Sequence, residues 1–269
     1  MKKLLMLTAV IAAAVAVHAA VTPIDGENGV GFVDVTVPTT ENGIKVLSVP
    51  FEACLGSGAA GVLSHLVSTN GMKSAASNPA DADQLVVLTT NANGLAVYYY
   101  YWHKTGFGWE TNNTVRLGTG VPQEERPEPA SAFKVSRGLG FWLKRASGAS
   151  GDKLYVKGQV PTSSVPVTVM GGTNFTLIGL GALTTTNLNQ VSASEWGTRY
   201  DGLTDGSDTL LVVTNANGSY ITYTYWGEPA NAWLDTKGNA PTVPILPGEG
   251  FWFLRRGAAN LTFTPVVSK

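Results

Sequence analysis

The sequence predicts an all-β protein with minor helix, built as two tandem copies of one antiparallel β-sandwich or barrel-like repeat. Two observations predict this fold. Short runs of alternating or β-branched apolar residues are separated by turn residues along the chain, which is typical of sandwiches and barrels. In addition, one set of motifs occurs twice in the same order, and such self-similarity indicates a repeat architecture.

The repeat is most visible around a shared turn motif. Thr-Asn-Ala-Asn-Gly occupies 90–94 and again 214–218, and the tyrosines and tryptophans that follow it recur at the same spacing of 124 residues. Further matches pair Gly140-Phe141-Trp142 with Gly250-Phe251-Trp252, Arg145 with Arg255, Val33–Val37 with Val165–Val169, and Leu154–Val156 with Leu261–Phe263. The spacing between the copies is 124 residues at the turn motif but only 110 at Gly-Phe-Trp. We therefore expect an insertion in the first copy near 115–129. The predicted domains are an N-terminal segment 20–32, repeat 1 over 33–161 and repeat 2 over 162–269.

Each copy contains a predicted hairpin. Asn and Gly tolerate the positive φ angles of a tight turn, and apolar runs flank the motif on both sides. The predicted strands are Leu85–Leu88 with Leu95–Trp102, Leu210–Val213 with Ser219–Trp226, and then Gly140–Leu143, Gly250–Leu254, Leu154–Val156 and Leu261–Phe263. Helix is expected only as a few turns, near Ala59–Val67 and Leu188–Val191.

The chain begins with the pattern of a secretory signal peptide. Lys2 and Lys3 precede the apolar stretch 4–17, and small residues, Val17 and Ala19, occupy the −3 and −1 positions of a cleavage site after Ala19, with cleavage after Ala20 as the alternative. We therefore expect residues 1–19 to be cleaved and the mature chain to be exported to the periplasm, the cell surface or the extracellular space. No later segment approaches the roughly 20 apolar residues of a transmembrane helix, so the mature chain is expected to have none.

Composition and charge exclude several partner classes. Charged residues make up 14% of the chain, and the formal net charge of −1 becomes −3 once Lys2 and Lys3 are removed. A weakly acidic protein lacks the basic surface that nucleic acids and anionic membranes attract. Cys54 is the only cysteine, so the fold cannot contain an intrachain disulfide and must be stabilised by its cores.

A candidate binding surface lies on the second hairpin strand of repeat 1. On one face of this strand Tyr98 and Tyr100 are replaced in repeat 2 by Thr222 and Thr224. The opposite face stays apolar and aromatic, with Val97, Tyr99 and Tyr101 in repeat 1 and Ile221, Tyr223 and Tyr225 in repeat 2. Because successive side chains alternate between faces, we expect the unchanged face to be buried and Tyr98, Tyr100 and Trp102 to form a row on the other. Such a row is typical of a polysaccharide-binding surface, of a protein-binding hot spot, or of a face packed under another element.

The Gly-x-Gly-Phe-Trp segments are predicted to be scaffold. Their glycines fit a turn or bulge and their aromatic residues close a core. Arg145 and Arg255 are expected to cap that core by stacking over tryptophan. A phosphate-binding loop is excluded, because neither a helix nor Lys-Ser/Thr follows.

No catalytic constellation stands out, so we expect no enzymatic activity. With Cys54, the histidines His65 and His103 are too few ligands for zinc. Carboxylates for glycoside hydrolysis are present at Glu110 and in and around the insertion, but nothing isolates a pair; a secreted hydrolase is therefore the second alternative function. The expected cofactor is none, with calcium at Asp201, Asp205 and Asp208 as a weak candidate.

Repeat 2 also resembles a known group of proteins. The matching segments are Thr173–Gly179, a Gly/Asp-rich stretch before Leu210–Val213, Tyr223–Trp226, Trp233 and Pro247–Trp252. In this order they resemble uncharacterised secreted bacterial β-repeat proteins with the pattern Asn-Leu-Ile-Gly … Tyr … Gly-Trp … Pro-Gly-x-Gly-Phe-Trp. The resemblance, looser in repeat 1, implies a fold and no known activity. We expect a secreted or surface-associated, non-enzymatic structural or adhesion module, with polysaccharide or another cell-surface protein as partner. Carbohydrate binding through Tyr98, Tyr100 and Trp102 is the first alternative.

Overall fold

A computed structural model describes residues 30–52, 72–75, 78–88, 96–102, 108–111, 137–161, 166–172, 174–190, 198, 200–201, 206–214 and 218–264. We call 30–161 the first half and 166–264 the second half. The first half contains β1 (Val30–Thr36), β2 (Ile44–Ser48), β3 (Gln84–Leu88), β4 (Ala96–Trp102), β5 (Gly108–Thr111), β6 (Gly140–Lys144) and β7 (Lys153–Gln159). The second half contains β8 (Val167–Val169), β9 (Asn174–Ile178), β10 (Thr209–Val213), β11 (Tyr220–Trp226), β12 (Ala232–Asp235), β13 (Phe251–Arg255) and β14 (Leu261–Phe263). Short 3-10 helices lie at Pro79–Asp81 and Leu188–Gln190.

The strands form four open antiparallel sheets in the described residues. The first half has a five-stranded sheet in the order β2-β6-β3-β4-β5 and a two-stranded sheet β1-β7. In the second half the five-stranded order is β9-β13-β10-β11-β12, and β8 pairs with β14. Counted from the start of each half, the two strand orders are the same. No helix in the described part of the chain is long and apolar enough to span a membrane.

The mostly-β prediction and both predicted hairpins are confirmed, since β3 pairs with β4 and β10 with β11. The predicted faces are confirmed in the second half, where Tyr223 and Tyr225 are only 2% and 5% exposed. On the other face of β11, Thr222 and Thr224 are half-buried. In β4 and β5 only the backbone is described. The strands β2, β5, β9 and β12 were not predicted.

Each half has its own core between its five-stranded and two-stranded sheets. The first core contains Val33, Val35, Val37, Leu47, Val49, Phe51, Leu85, Val87, Phe141, Leu143, Leu154 and Val156. The second contains, among others, Val167, Val169, Ile178, Leu210, Val212, Tyr223, Tyr225, Trp233, Phe251, Phe253, Leu261 and Phe263. Buried and exposed side chains alternate along the strands as a two-layer packing requires, because every second side chain of a strand faces the partner sheet.

A buried ion pair lies beside each core. Arg145 Nη1 lies 3.4 Å from Asp83 Oδ2, and Arg255 Nη1 contacts Asp208 Oδ2. In both halves the backbone N–H that follows the arginine donates to the other carboxylate oxygen at 2.8 Å. The arginines therefore neutralise buried aspartates, whereas the sequence suggested stacking over tryptophan.

Candidate functional site

Two of the backbone hydrogen bonds between the halves are related by exchange of the halves. The Ser48 N–H donates to Gly248 O at 2.8 Å, and the Gly179 N–H donates to Gly138 O at 3.0 Å. In the first half Ser48 lies opposite Gly140. In the second half Gly179 follows Ile178, which lies opposite Phe251, so Gly179 occupies the position that matches Ser48. Each half therefore donates one of these bonds to the other.

Two isolated β-bridges repeat the same reciprocity. Leu47 of the first half pairs with Glu249 of the second, and Ile178 of the second pairs with Leu139 of the first. Leu47 lies opposite Phe141 in its sheet and Ile178 opposite Phe251, so these bridges also occupy matching positions. Each half thus extends the edge of the other half's sheet at one point.

The Gly-x-Gly part of each motif is required by this junction. Gly138 and Gly248 both have φ of 81°, a left-handed conformation that glycine adopts without cost. At the second glycine the backbones nearly touch: a Cβ on Gly140 would lie 2.5 Å from Ile178 N, and one on Gly250 would lie 2.9 Å from Leu47 O. The scaffold interpretation therefore holds, with the close approach of the halves as its physical reason.

Behind the glycines, the motif tryptophans touch across the junction and form one wall of a cleft. The ring centroids of Trp142 and Trp252 are 5.2 Å apart, and Phe175 meets Trp252 edge to face at 6.0 Å. The cleft has a volume of about 450 Å³. Its lining is Ile44, Val46, Trp142, Phe175, Leu211, Val213, Gly218, Tyr220 and Trp252.

The cleft is apolar and bordered by exposed aromatic side chains. Every lining residue is aliphatic, aromatic or glycine, so its side-chain polar groups are the Tyr220 hydroxyl and the two indole N–H groups. Phe175 and Tyr220 are 48% and 58% exposed. Gly218, with φ of 82°, lets Ile44 Cδ1 come within 3.7 Å of where its Cβ would be. The arrangement suits an apolar group of a ligand or partner, which gains by leaving water.

Charged side chains fasten the junction beside the cleft. Lys45 forms an ion pair with Glu249, and the buried Arg137 Nη2 donates to Gly181 O at 3.0 Å. Arg137 Nη1 lies 4.0 Å from Glu52 Oε1. Burial lowers the pKa of the Arg137 guanidinium, while the negative charge of Glu52 raises it. These groups hold the halves together and do not line the cleft.

The predicted row Tyr98, Tyr100 and Trp102 lies on β4, and its side chains lie outside the described residues. In the sheet register Tyr98 is opposite Val86, which in turn is opposite Trp142. Position 98 therefore belongs to the sheet face that includes Trp142 of the cleft wall. The sequence placed a recognition surface on this face but missed the cleft. Its signal was the matched Gly-Phe-Trp motif, which was interpreted as scaffold alone.

The two calcium candidates that the structure describes, Asp201 and Asp208, lie in different environments. Asp208 is fully buried against Arg255, whereas Asp201 is exposed and accepts a bond of 3.5 Å from the Ser207 hydroxyl. In the part of the chain that the structure describes, no three potential metal-ligating side chains come together. The other predicted features, namely Asp205, Cys54, His65, His103, the leader 1–19 and the insertion near 115–129, lie outside the described residues.

Comparison of the chain with protein-family models, with curated protein sequences and with solved structures finds no match. The function is therefore inferred from the cleft, its surroundings and the sequence pattern.

Proposed function

We propose that this chain is an exported, non-enzymatic adhesion module made of two copies of one β-repeat, and that it holds a partner protein in the cleft between the copies. The observation that carries the proposal is the 450 Å³ cleft walled by Trp142 and Trp252 and bordered by Phe175 and Tyr220. Export is inferred from the basic and apolar pattern of 1–19.

The duplication is supported by features that recur at matching places. These are the strand order, the motif glycines with equal φ, the ion pairs Asp83–Arg145 and Asp208–Arg255, and the reciprocal bonds of Ser48 and Gly179. A gene duplication explains all four at once, because the interface of a two-fold dimer becomes an interdomain junction when its subunits are fused. The cleft then derives from the dimer interface.

Protein recognition is favoured by the chemistry of the lining. Pockets for specific ligands measure roughly 300–1,000 Å³, so the cleft is large enough for one or two apolar side chains of a partner. Aromatic anchors in such pockets dominate protein–protein affinity. A polysaccharide would need more hydrogen-bonding groups than the Tyr220 hydroxyl and two indole N–H groups provide.

The test immobilises the mature chain and presents suspended cells of the organism that produces it. We expect the cells to be retained, and retention to be lost when cell-surface proteins are removed by protease. The double variant with Phe175→Ala and Tyr220→Ala removes the aromatic border and should reduce retention severalfold. Phe32→Ala, which removes an exposed aromatic side chain elsewhere, is the matched control.

Two outcomes contradict the proposal. Retention that is equal for the double variant and the control excludes the cleft as the adhesion surface. Retention that survives protease but is lost after periodate oxidation of cell-surface sugars indicates a carbohydrate partner instead.

A further inference from the structure

We propose that the second half carries a second, independent site, which binds a neutral sugar at the turn after β11. Tyr200 and Trp226 provide aromatic faces for the apolar C–H face of a hexose ring. Glu228 and Asn231 provide hydrogen-bonding groups for its hydroxyls. This site is separate from the cleft and from the residues of the proposed adhesion surface.

The two rings lie side by side and both are accessible. Their centroids are 6.3 Å apart with planes only 33° from parallel, and Tyr200 and Trp226 are 39% and 37% exposed. Tyr200 also meets Tyr225 at 6.5 Å with the ring planes at 86°. Because more than a third of each of Tyr200 and Trp226 is exposed, both residues are accessible to a ligand.

Gly227 is required for this arrangement. A Cβ at this position would lie 2.5 Å from Tyr200 Cδ1, so the Tyr200 ring lies directly over the backbone of the turn. At the spacing that aligns Trp226 with Trp102, the residue aligned with Gly227 is His103. The sequence therefore has no glycine at the matching position of the first half.

Polar side chains next to the rings are held by a chain of hydrogen bonds. The turn is closed by the Asn231 N–H, which donates to Gly227 O at 3.0 Å. The Tyr225 hydroxyl donates to Asn231 Oδ1 at 3.2 Å, and Asn231 Nδ2 donates to Glu228 Oε1 at 2.6 Å. A carboxylate accepts about four hydrogen bonds, so the oriented, exposed Glu228 has capacity left for sugar hydroxyls.

The combination of groups favours a neutral sugar over other ligands. A hexose has a C–H face that stacks on flat rings and hydroxyls around its edge that bind carboxylate and amide groups. An apolar peptide or acyl chain cannot hydrogen-bond through its apolar groups to the oriented Glu228. Binding such a ligand would desolvate the Glu228 carboxylate without compensation and would be weakened. An anionic ligand would be repelled by that carboxylate.

The experiment applies the full-length mature chain to an array of immobilised neutral hexose oligosaccharides and measures the hits by isothermal titration calorimetry. We expect binding to at least one oligosaccharide, and we expect Tyr200→Ala and Trp226→Ala each to weaken it about tenfold. Gly227→Ala keeps both rings but displaces one of them, and should weaken binding as well. The matched control is Phe32→Ala, since Phe32 is an exposed aromatic residue that meets the half-buried Tyr155 edge to face at 72°.

Circular dichroism and thermal unfolding establish that each variant is folded, and Glu228→Gln provides a variant that leaves the rings in place. The proposal is overturned if no oligosaccharide on the array binds, or if binding persists undiminished in Tyr200→Ala and Trp226→Ala. It is also overturned if binding is lost in the double variant of Phe175 and Tyr220, because the cleft would then be the sugar site. A failure of cell retention leaves this site unaffected, so the two proposals fail separately.

Discussion

Trp142 and Trp252 come from the same place in the two sequence repeats, and their rings meet 5.2 Å apart where the two halves join. Residues related by a two-fold axis can touch each other only close to that axis. On the proposed duplication, the contact lies close to the approximate two-fold axis that would relate the two copies. The Gly-Phe-Trp motif, which contributes Phe141 and Phe251 to the two cores, therefore also shapes the surface between the halves.

The tryptophan contact predicts an energetic coupling between the halves. In a double-mutant cycle of Trp142→Ala and Trp252→Ala, the free energies of unfolding should be non-additive by about 0.5–1.5 kcal/mol, the range for an aromatic pair. The measurement is urea unfolding followed by circular dichroism. The control cycle combines Phe141→Leu and Phe251→Leu, which lie in separate cores and should be additive within about 0.5 kcal/mol. Equal couplings in the two cycles would contradict the junction described above.

Adding a methyl group at Gly140, where the two halves join, should lower the free energy of unfolding. Gly140→Ala would place a Cβ 2.5 Å from the backbone nitrogen of Ile178, and overpacking of this kind typically costs about 1–3 kcal/mol. Gly238→Ala is the comparison, because Gly238 has φ of 80° but nothing within 4 Å of its Cβ position. Its cost should be limited to the roughly 1–2 kcal/mol of strain that a left-handed backbone conformation imposes on alanine. Thermal unfolding ranks the two variants, and a milder effect for Gly140→Ala would falsify the close approach.

Much of this architecture could be predicted from the sequence, because hairpins and alternating strands are encoded locally. The strands β2, β5, β9 and β12 were missed. All four are edge strands of four or five residues, so their own patterns are weak and their pairing depends on the neighbouring strand. The match of Val33–Val37 with Val165–Val169 was two residues out of register, since Val35 lies opposite Leu154 and Val169 opposite Leu261. A shift of two preserves the alternation of a strand, so the pattern could not reveal it.

The candidate sites were less predictable, because they depend on contacts between distant segments. The buried pairs had a local signal that was overlooked: Asp83-Gln84-Leu85 recurs as Asp208-Thr209-Leu210 before the matching strands. For the cleft the sequence offered only the repeated Gly-Phe-Trp motif, which does not reveal that the two tryptophans meet, because the cleft arises only where the halves join. The ring pair of Tyr200 and Trp226 likewise joins residues whose spacing carries no motif.

The buried ion pair of the second half should be worth more than an exposed one. Asp208→Asn removes the carboxylate charge that Arg255 contacts, and breaking a buried pair costs about 3–5 kcal/mol. The control is Asp34→Asn, whose partner Lys153 lies 3.8 Å away on the exposed surface; such pairs contribute about 0–1 kcal/mol. Chemical denaturation at neutral pH measures both. Similar losses for the two variants would mean that Asp208 is accessible to water.

Asp83 predicts a pH dependence of the opposite sign to that of ordinary surface carboxylates. Burial raises its pKa above the usual 3.8, although the N–H groups of Ala146 and Lys73 and the charge of Arg145 act in the other direction. The folded state therefore binds more protons at Asp83 than the unfolded state does once the pH exceeds 3.8. The stabilisation that comes from this difference is complete below the unfolded pKa and is lost as the pH rises through the folded pKa.

The variant Asp83→Asn removes this titration. The free energy of unfolding of the wild type minus that of the variant should be largest in acid and should decrease as the pH rises through the folded pKa of Asp83, becoming constant above it. Taking the difference at each pH cancels the other carboxylates, which titrate in both proteins. Urea unfolding from acid to neutral pH supplies the two curves, with Asp34→Asn as an exposed control. A difference that grows with pH would show that Arg145 and the two N–H groups outweigh burial, and that the ionised carboxylate is the favoured form in the folded protein.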